Sequence, residues 1–220
     1  MVFTLVACGG EEKASEEGNV KEINIAVSPD YPPYESLDTD GKTIVGFDAD
    51  MIALFPEYLN DGDTTYKFVW HSMSFENIVS QVQGGQVDIG VSGFTYDKSR
   101  KVAWSKPYTA TAQVAVVDKD SDIKTVKDLE GKTVAAQSGS TGEKAAKEIK
   151  DANVVSVTNV QEIFSSLTSK QYDAVVVDLA VAQNYVKEQG FVMLDESLLD
   201  EKNYIIAKEG NDEMIDMINK

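Results

Sequence analysis

Two stretches of this sequence are built alike: QVDIGVSG at residues 86–93 and QYDAVVVD at residues 171–178. Each follows a segment with helical spacing, opens on Gln-x-Asp, and ends in glycine, hydroxyl or acid. Val87, Ile89 and Val91 alternate with Asp88 and Gly90, the period of a strand, while Ala174 to Val177 form an unbroken apolar run suited to a strand buried on both faces. A chain that writes the same unit twice folds into two similar lobes. Between and around these units, strand-like and helix-like segments alternate, which predicts an α/β protein with parallel sheets covered by helices.

Taken in order, residues 20–28 read as a first strand, and Pro32 and Pro33 then hold an extended loop from which Tyr31 and Tyr34 project, either as ligand walls or as surface tyrosines of a tight turn. Phe47, Met51, Leu54, Phe55 and Tyr58 recur at helical spacing, with Pro56 expected to kink that helix or end it early. Residues 64–71 form a strand with Tyr66, Phe68 and Trp70 on one face. Ser74 is placed to cap a helix that runs through Gln83 and is stopped by Gly84-Gly85. Further strands are expected at residues 111–118 and 133–137, and further helices at 160–169 and 181–189.

The candidate site follows from one rare residue. Arg100 is the only arginine, and every other basic side chain except His71 is a lysine. A guanidinium binds a carboxylate through two parallel hydrogen bonds, which a lysine cannot copy. Arg100 stands just past a strand end that also offers Gly93 and Thr95, so it reads as a carboxylate receptor, with a solvated surface cation as the plainer alternative. Asp178 ends the second buried strand, where an unpaired carboxylate is costly and calls for a cationic partner; it is equally suited to cap the helix that begins near Leu179. The loop SGSTG at residues 138–142 joins a strand to a helix and puts Thr141 and nearby N–H groups at a positive helix end. A site with Arg100 and Thr141 for a carboxylate, Asp178 for an ammonium and Tyr31 with a second aromatic as walls fits a free α-amino acid.

Several classes are excluded or disfavoured. A formal charge of −17, spread along the chain, opposes binding to nucleic acid. One cysteine, Cys8, and one histidine, His71, allow neither an internal disulfide nor a zinc cluster, and no EF-hand spacing occurs, so no metal and no cofactor is expected. Gly131-Lys132-Thr133 leads into a strand instead of a helix, and SGSTGEK separates its Gly from its Lys by Glu143, so neither is a phosphate-binding loop.

The opening MVFTLVAC resembles the end of a bacterial lipoprotein signal, with residues 5–8 as lipobox and Cys8 as the lipidated residue, followed by a polar tether to about residue 19. From Val20 onward the ordered segments DYPPYE, VGFDAD, MSFENI, QGGQVDIGVSGFTYDKSRK, WSKPY, KDLEGKTVAAQSGSTGE and QYDAVVVD resemble the extracytoplasmic solute-binding proteins, family 3, of ABC-type polar amino-acid importers. The resemblance implies a two-lobed periplasmic-binding-protein-like type II fold, with two mixed, mostly parallel sheets joined by two hinge strands that cross near residues 114–118 and 204–208. It divides the chain into residues 1–19 as truncated signal and tether, residues 20–114 plus 208–220 as the first lobe, with a further C-terminal helix missing, and residues 115–207 as the second.

By position, the resemblance assigns the α-carboxylate to Arg100 with Thr95 and Thr141, and the α-ammonium to Asp178 and the Gly93 carbonyl. Tyr31 and Phe75 flank the side chain, and Ser28, Ser92 and Gln137 complete the set. Relatives that prefer basic amino acids often carry Asp at the position of Ser28, whereas here the acid is Asp30. The implied protein is a monomeric, non-enzymatic receptor, lipid-anchored outside the cell membrane, that hands its amino acid to a membrane permease. The rivals are a cyclohexadienyl dehydratase-like enzyme on the same fold, with Glu35 or Glu76 as proton donor, and the sensor module of a larger receptor.

Overall fold

The computed structural model describes residues 19–220, so Cys8 and the tether before Asn19 lie outside the described residues. In chain order the elements are β1 (Asn19–Val27), the short strands β2 (Asp30–Tyr31), β3 (Glu35–Leu37) and β4 (Ile44–Val45), α1 (Phe47–Leu59), β5 (Thr64–Ser72), α2 (Phe75–Gly84), β6 (Ile89–Thr95), β7 (Val102–Trp104) and β8 (Thr109–Val117). After a 3-10 turn at Val126–Leu129 come β9 (Thr133–Gln137), α3 (Thr141–Lys147), β10 (Asn153–Val157), α4 (Val160–Thr168), β11 (Ala174–Asp178), α5 (Leu179–Gln189), β12 (Val192–Lys208) and α6 (Asp212–Ile218).

The strand order is β10-β9-β11-β8-β12-β6-β1-β5, with β7 against β12, and β2-β3-β4 form a separate small antiparallel sheet. β5, β1 and β6 are parallel in one lobe, and β10, β9 and β11 are parallel in the other. β8 and β12 run antiparallel to their neighbours and pass through both lobes, so the two lobe sheets are joined in one hydrogen-bonded path.

The repeated Gln-x-Asp has one structural role in both lobes. Asp88 Oδ2 accepts from the Asn24 N–H at 2.7 Å, while the Asp88 N–H donates to the Asn24 carbonyl at 2.9 Å. Asp173 does the same to Thr133, at 2.8 Å in each direction. Each aspartate thereby fixes the register between a central strand and its parallel neighbour at the point where pairing begins.

The crossings fall earlier than the sequence reading put them. Val114, Ala115 and Val116 pair with β11, well inside the second lobe, and Tyr204, Ile206 and Ala207 pair with β6, inside the first. The rungs between are Thr109–Ala112 against Asp200–Asn203. The apolar pattern marks the first segment as a strand and the resemblance supplies the second, but neither carries information about which residues of those strands lie between the lobes.

Apolar side chains pack on both faces of each sheet. In the first lobe, Ile78 and Val82 of α2 pack with Phe94 and Ile206, and Ile52 of α1 packs with Ile23, Ile25 and Val91, where α6 also lies. In the second, Ile163, Phe164 and Tyr185 pack on one face and Leu129, Ala136 and Leu194 on the other. Tyr31 and Tyr34, although carried by the first lobe, are buried in the second lobe's core.

Local expectations need three corrections. Pro56 does not end α1 at once: it sits in the last turn, and the helix continues three residues to Leu59. The inward stripe of α1 is Asp48, Ile52 and Leu59, with Met51 and Phe55 half-buried, while Phe47, Leu54 and Tyr58 are 47%, 51% and 71% exposed. Ser74 holds the N-cap position of α2 but makes no capping bond, its hydroxyl accepting instead from the Asn77 side chain at 2.7 Å. Gly85 ends that helix in the left-handed conformation, φ 70°.

Candidate functional site

The C-terminal ends of β6 and β9, the start of α2, the β2 segment, Gln113 of β8 and the N-terminus of α3 face one another across the two lobes. They close down on a narrow polar cleft that leaves a water-sized sphere only about 10 Å³ of room, lined by Tyr31, Phe75, Ser92, Gly93, Thr95, Arg100, Gln113, Gln137, Ser140 and Thr141. Eight of the residues singled out from the sequence are among these. Ser28 and Asp178 are not, and Gln113 and Ser140 carried no sequence signal.

Arg100 is held by two backbone carbonyls, Nη1 donating to Thr95 O at 3.1 Å in its own lobe and Nη2 to Gly139 O at 2.8 Å in the other. Its guanidinium lies over the rings of Phe75 and Phe94, at 5.6 and 5.4 Å from their centroids, and those rings stack on each other. Burial draws its pKa down, opposed by the charges of Asp97 and Glu201.

At the Tyr31 end stands Asp178, 1% exposed, outside the cavity lining. Its Oδ1 accepts from the Tyr34 hydroxyl at 3.2 Å and from the Ala180 N–H at 3.0 Å, and its own N–H donates to the Tyr31 hydroxyl at 3.1 Å. Asp178 is therefore the N-cap of α5, and no salt bridge reaches it among the described residues. Burial pushes its carboxyl above the usual range.

The remaining residues have mixed placements. Gly93, at φ 57°, turns the strand end beside the Tyr31 ring; a Cβ there would lie 3.5 Å from that ring. Its carbonyl, expected to take an ammonium, accepts from Asn203 Nδ2 at 2.9 Å. The Ser92 hydroxyl donates to buried Glu35 at 2.5 Å and accepts from the Ser28 N–H at 3.2 Å, so it braces the scaffold as well as lining the cavity. Ser28 donates to Asp30 at 2.8 Å. Asp30, behind Gln137, accepts from the Val160 N–H of the other lobe at 2.7 Å and is within 3.4 Å of Gln137 Nε2. Ser140 caps α3, accepting from the Glu143 N–H at 3.0 Å.

Sequence reasoning also missed Glu201, on a crossing rung of β12. Its Oε2 accepts from Gln113 Nε2 at 2.9 Å and from the hydroxyls of Thr95 and Thr141 at 3.0 Å each. The stretch DEKN around it has no apolar alternation to mark it. Outside the cavity, an ion pair between Asp97 and Lys144 also links the lobes.

A two-lobed α/β protein with an enclosed polar cavity at the crossing of two shared strands is, as a class, a hinged small-molecule binding protein. Residues 23–220 match the bacterial extracellular solute-binding proteins, family 3, and the chain belongs to that family. It is 31% identical to the arginine-binding extracellular protein ArtP of Bacillus subtilis (strain 168), over all of this chain and 86% of that one. Among solved structures it resembles the substrate binding protein of an amino acid ABC transporter, at TM-score 0.83 and 31% identity over 90% of both chains. It also resembles holo ArgBP from T. maritima, at TM-score 0.80 and 34% identity over 90% of this chain and 87% of that one.

Proposed function

We propose that this chain is the extracytoplasmic receptor of an ABC-type importer and captures a free α-amino acid, with basic amino acids as the favoured class. One observation carries the reading. Donors suited to a carboxylate, Arg100, Thr95 and Thr141, come from both lobes to line one cleft, and Asp178, which has no salt-bridge partner among the described residues, lies behind its Tyr31 wall. A ligand that bridges them stabilises the closed arrangement, which is the form a permease reads. Asp30, Asp178 and Glu201 surround the site with negative charge, and relatives named for arginine binding support a cationic side chain. Delivery to a membrane permease and attachment through a lipid on Cys8 belong to the same reading, supported by family membership and the lipobox-like start respectively.

The test is a thermal-shift survey of each common L-amino acid. Ligand at a hundred times its dissociation constant adds ~2.7 kcal/mol to stability. Arginine, lysine or histidine should give the largest shift. A cooperatively folded protein that responds to none of the amino acids refutes the reading, and turnover of arogenate or prephenate would replace it by an enzymatic one.

A further inference from the structure

Glu201 occupies the place a ligand carboxylate needs. Its Oε2 takes the hydroxyl protons of Thr95, from one lobe, and of Thr141, from the other, together with the Gln113 amide. These donors line the cavity, and Arg100 is close enough for Glu201 to act on its charge. The seat is incomplete: Oε1 is buried with no hydrogen-bond partner among the described residues, and no salt bridge involves Glu201 there. A carboxylate with one oxygen desolvated and unpaired is held less well than one using both. The residue as a whole is only partly buried, although its carboxylate oxygens face inward.

We propose that Glu201 is a built-in competitor for the ligand's carboxylate, seated on the donors that an amino acid requires, and that its displacement sets the affinity of the site. The proposal rests on the reading of the cavity as an amino-acid site. An amino acid that enters must strip three hydrogen bonds from Glu201, and its apparent affinity is reduced by the fraction of molecules in which Glu201 holds the seat. An amino acid brings what Glu201 lacks, an ammonium group for Asp178, and its carboxylate is not tethered to β12, so its second oxygen is free to find the partner that Glu201 Oε1 does not have.

The experiment compares wild type, E201A and E201Q by calorimetry with the amino acid that gives the largest thermal shift, and by melting in sodium acetate against sodium chloride at matched ionic strength. Binding should tighten by about tenfold or more in E201A, the expected return of a seat that is no longer contested. Acetate should raise the melting temperature of E201A and leave wild type unmoved, because only the variant leaves the seat free for a small carboxylate. An affinity that is unchanged or weaker in E201A, or an acetate response no larger than that of wild type, overturns the proposal. Should E201A fail to fold, E201Q, which keeps the size and one acceptor oxygen but drops the charge, is read by the same two measurements. If neither wild type nor a variant binds any amino acid, the proposed function has failed, and the acetate response alone decides whether Glu201 covers a carboxylate seat.

Discussion

The Tyr34 hydroxyl of one lobe donates to Asp178 Oδ1 of the other at 3.2 Å, so the buried acid is engaged from across the cleft by a neutral donor and, among the described residues, by no salt bridge. Burial raises its pKa, which makes the ionised form costly to the ligand-free protein. Asp178→Asn keeps the acceptor for Tyr34 and Ala180 and removes the charge. Stability of the free protein should stay level or rise by up to ~1 kcal/mol, as when a strained functional group is relieved. Amino-acid binding should weaken by ~2–5 kcal/mol, the cost of removing one partner of a buried charged pair. Urea unfolding and calorimetry on the same preparation check both signs; a variant that binds as tightly as wild type would remove Asp178 from the ammonium site.

Arg100 gives a contrast between shape and charge. Two of its donors are committed to Thr95 O and Gly139 O, in different lobes, and its flat face lies over Phe75 and Phe94. Lysine can replace the charge but neither the fork nor the stacking. Arg100→Ala should cost ~2–5 kcal/mol of binding, and Arg100→Lys should recover only a minor part. Full recovery by lysine in a calorimetric titration would mean that the site needs only a point charge there.

A second acid pair predicts how stability depends on pH. Glu35 and Asp48 are both fully buried, with Ser92 donating to Glu35 and the Tyr108 hydroxyl to Asp48 at 3.2 Å. Burial, reinforced by the charge of Asp48, lifts the Glu35 pKa well above the ordinary value, and burial lifts that of Asp48 to about 7. A carboxyl whose folded pKa exceeds its unfolded one binds more protons in the folded state, so its contribution is complete below the ordinary carboxylate range and is lost as pH rises through the raised value. Asp48 should make stability fall between about pH 4 and pH 7, and Glu35 should push it the same way as pH rises. In Asp48→Asn the pair no longer has two acids to ionise, and urea midpoints at pH 5, 6.5 and 8 should give a visibly flatter profile. An unchanged slope would rule the pair out as its source.

Much of this arrangement was legible because strand ends carry their own punctuation. The alternation of Val87, Ile89 and Val91, the run before Asp178 and the solitary Arg100 are local signals: the first and last mark where β6 meets the cavity, and the second marks the strand whose end packs behind Tyr31. What was not legible depends on long-range pairing. Gln113 looks like one polar residue in an apolar strand, and Glu201 and Asn203 sit in a polar stretch with no period; only the pairing of β8 with β12 brings them to the cavity. The stripe on α1 misled for a related reason: helical spacing shows that one face is apolar, but the packing partner decides how much of that face is covered.

Asn203 is the residue in which that hidden pairing is most exposed to test. It is fully buried at the crossing, its amide donating to the Gly93 carbonyl at 2.9 Å while its oxygen accepts from the Thr109 hydroxyl. Thr109 is its antiparallel partner, so one side chain ties the two crossing strands to each other and to the turn that carries Gly93. Asn203→Leu preserves the volume and leaves both the carbonyl and the hydroxyl without this partner. Both partners are only partly buried, so each group so orphaned should cost about 1 kcal/mol, the low end of the range for a lost partner, and the variant should lose about 2 kcal/mol in urea unfolding. Thr109→Val, which removes one donor and leaves the Gly93 bond intact, should lose about 1 kcal/mol. If Asn203→Leu costs no more than Thr109→Val, the bond to Gly93 contributes nothing, and the geometry of the cavity floor must be set by the strand pairing alone.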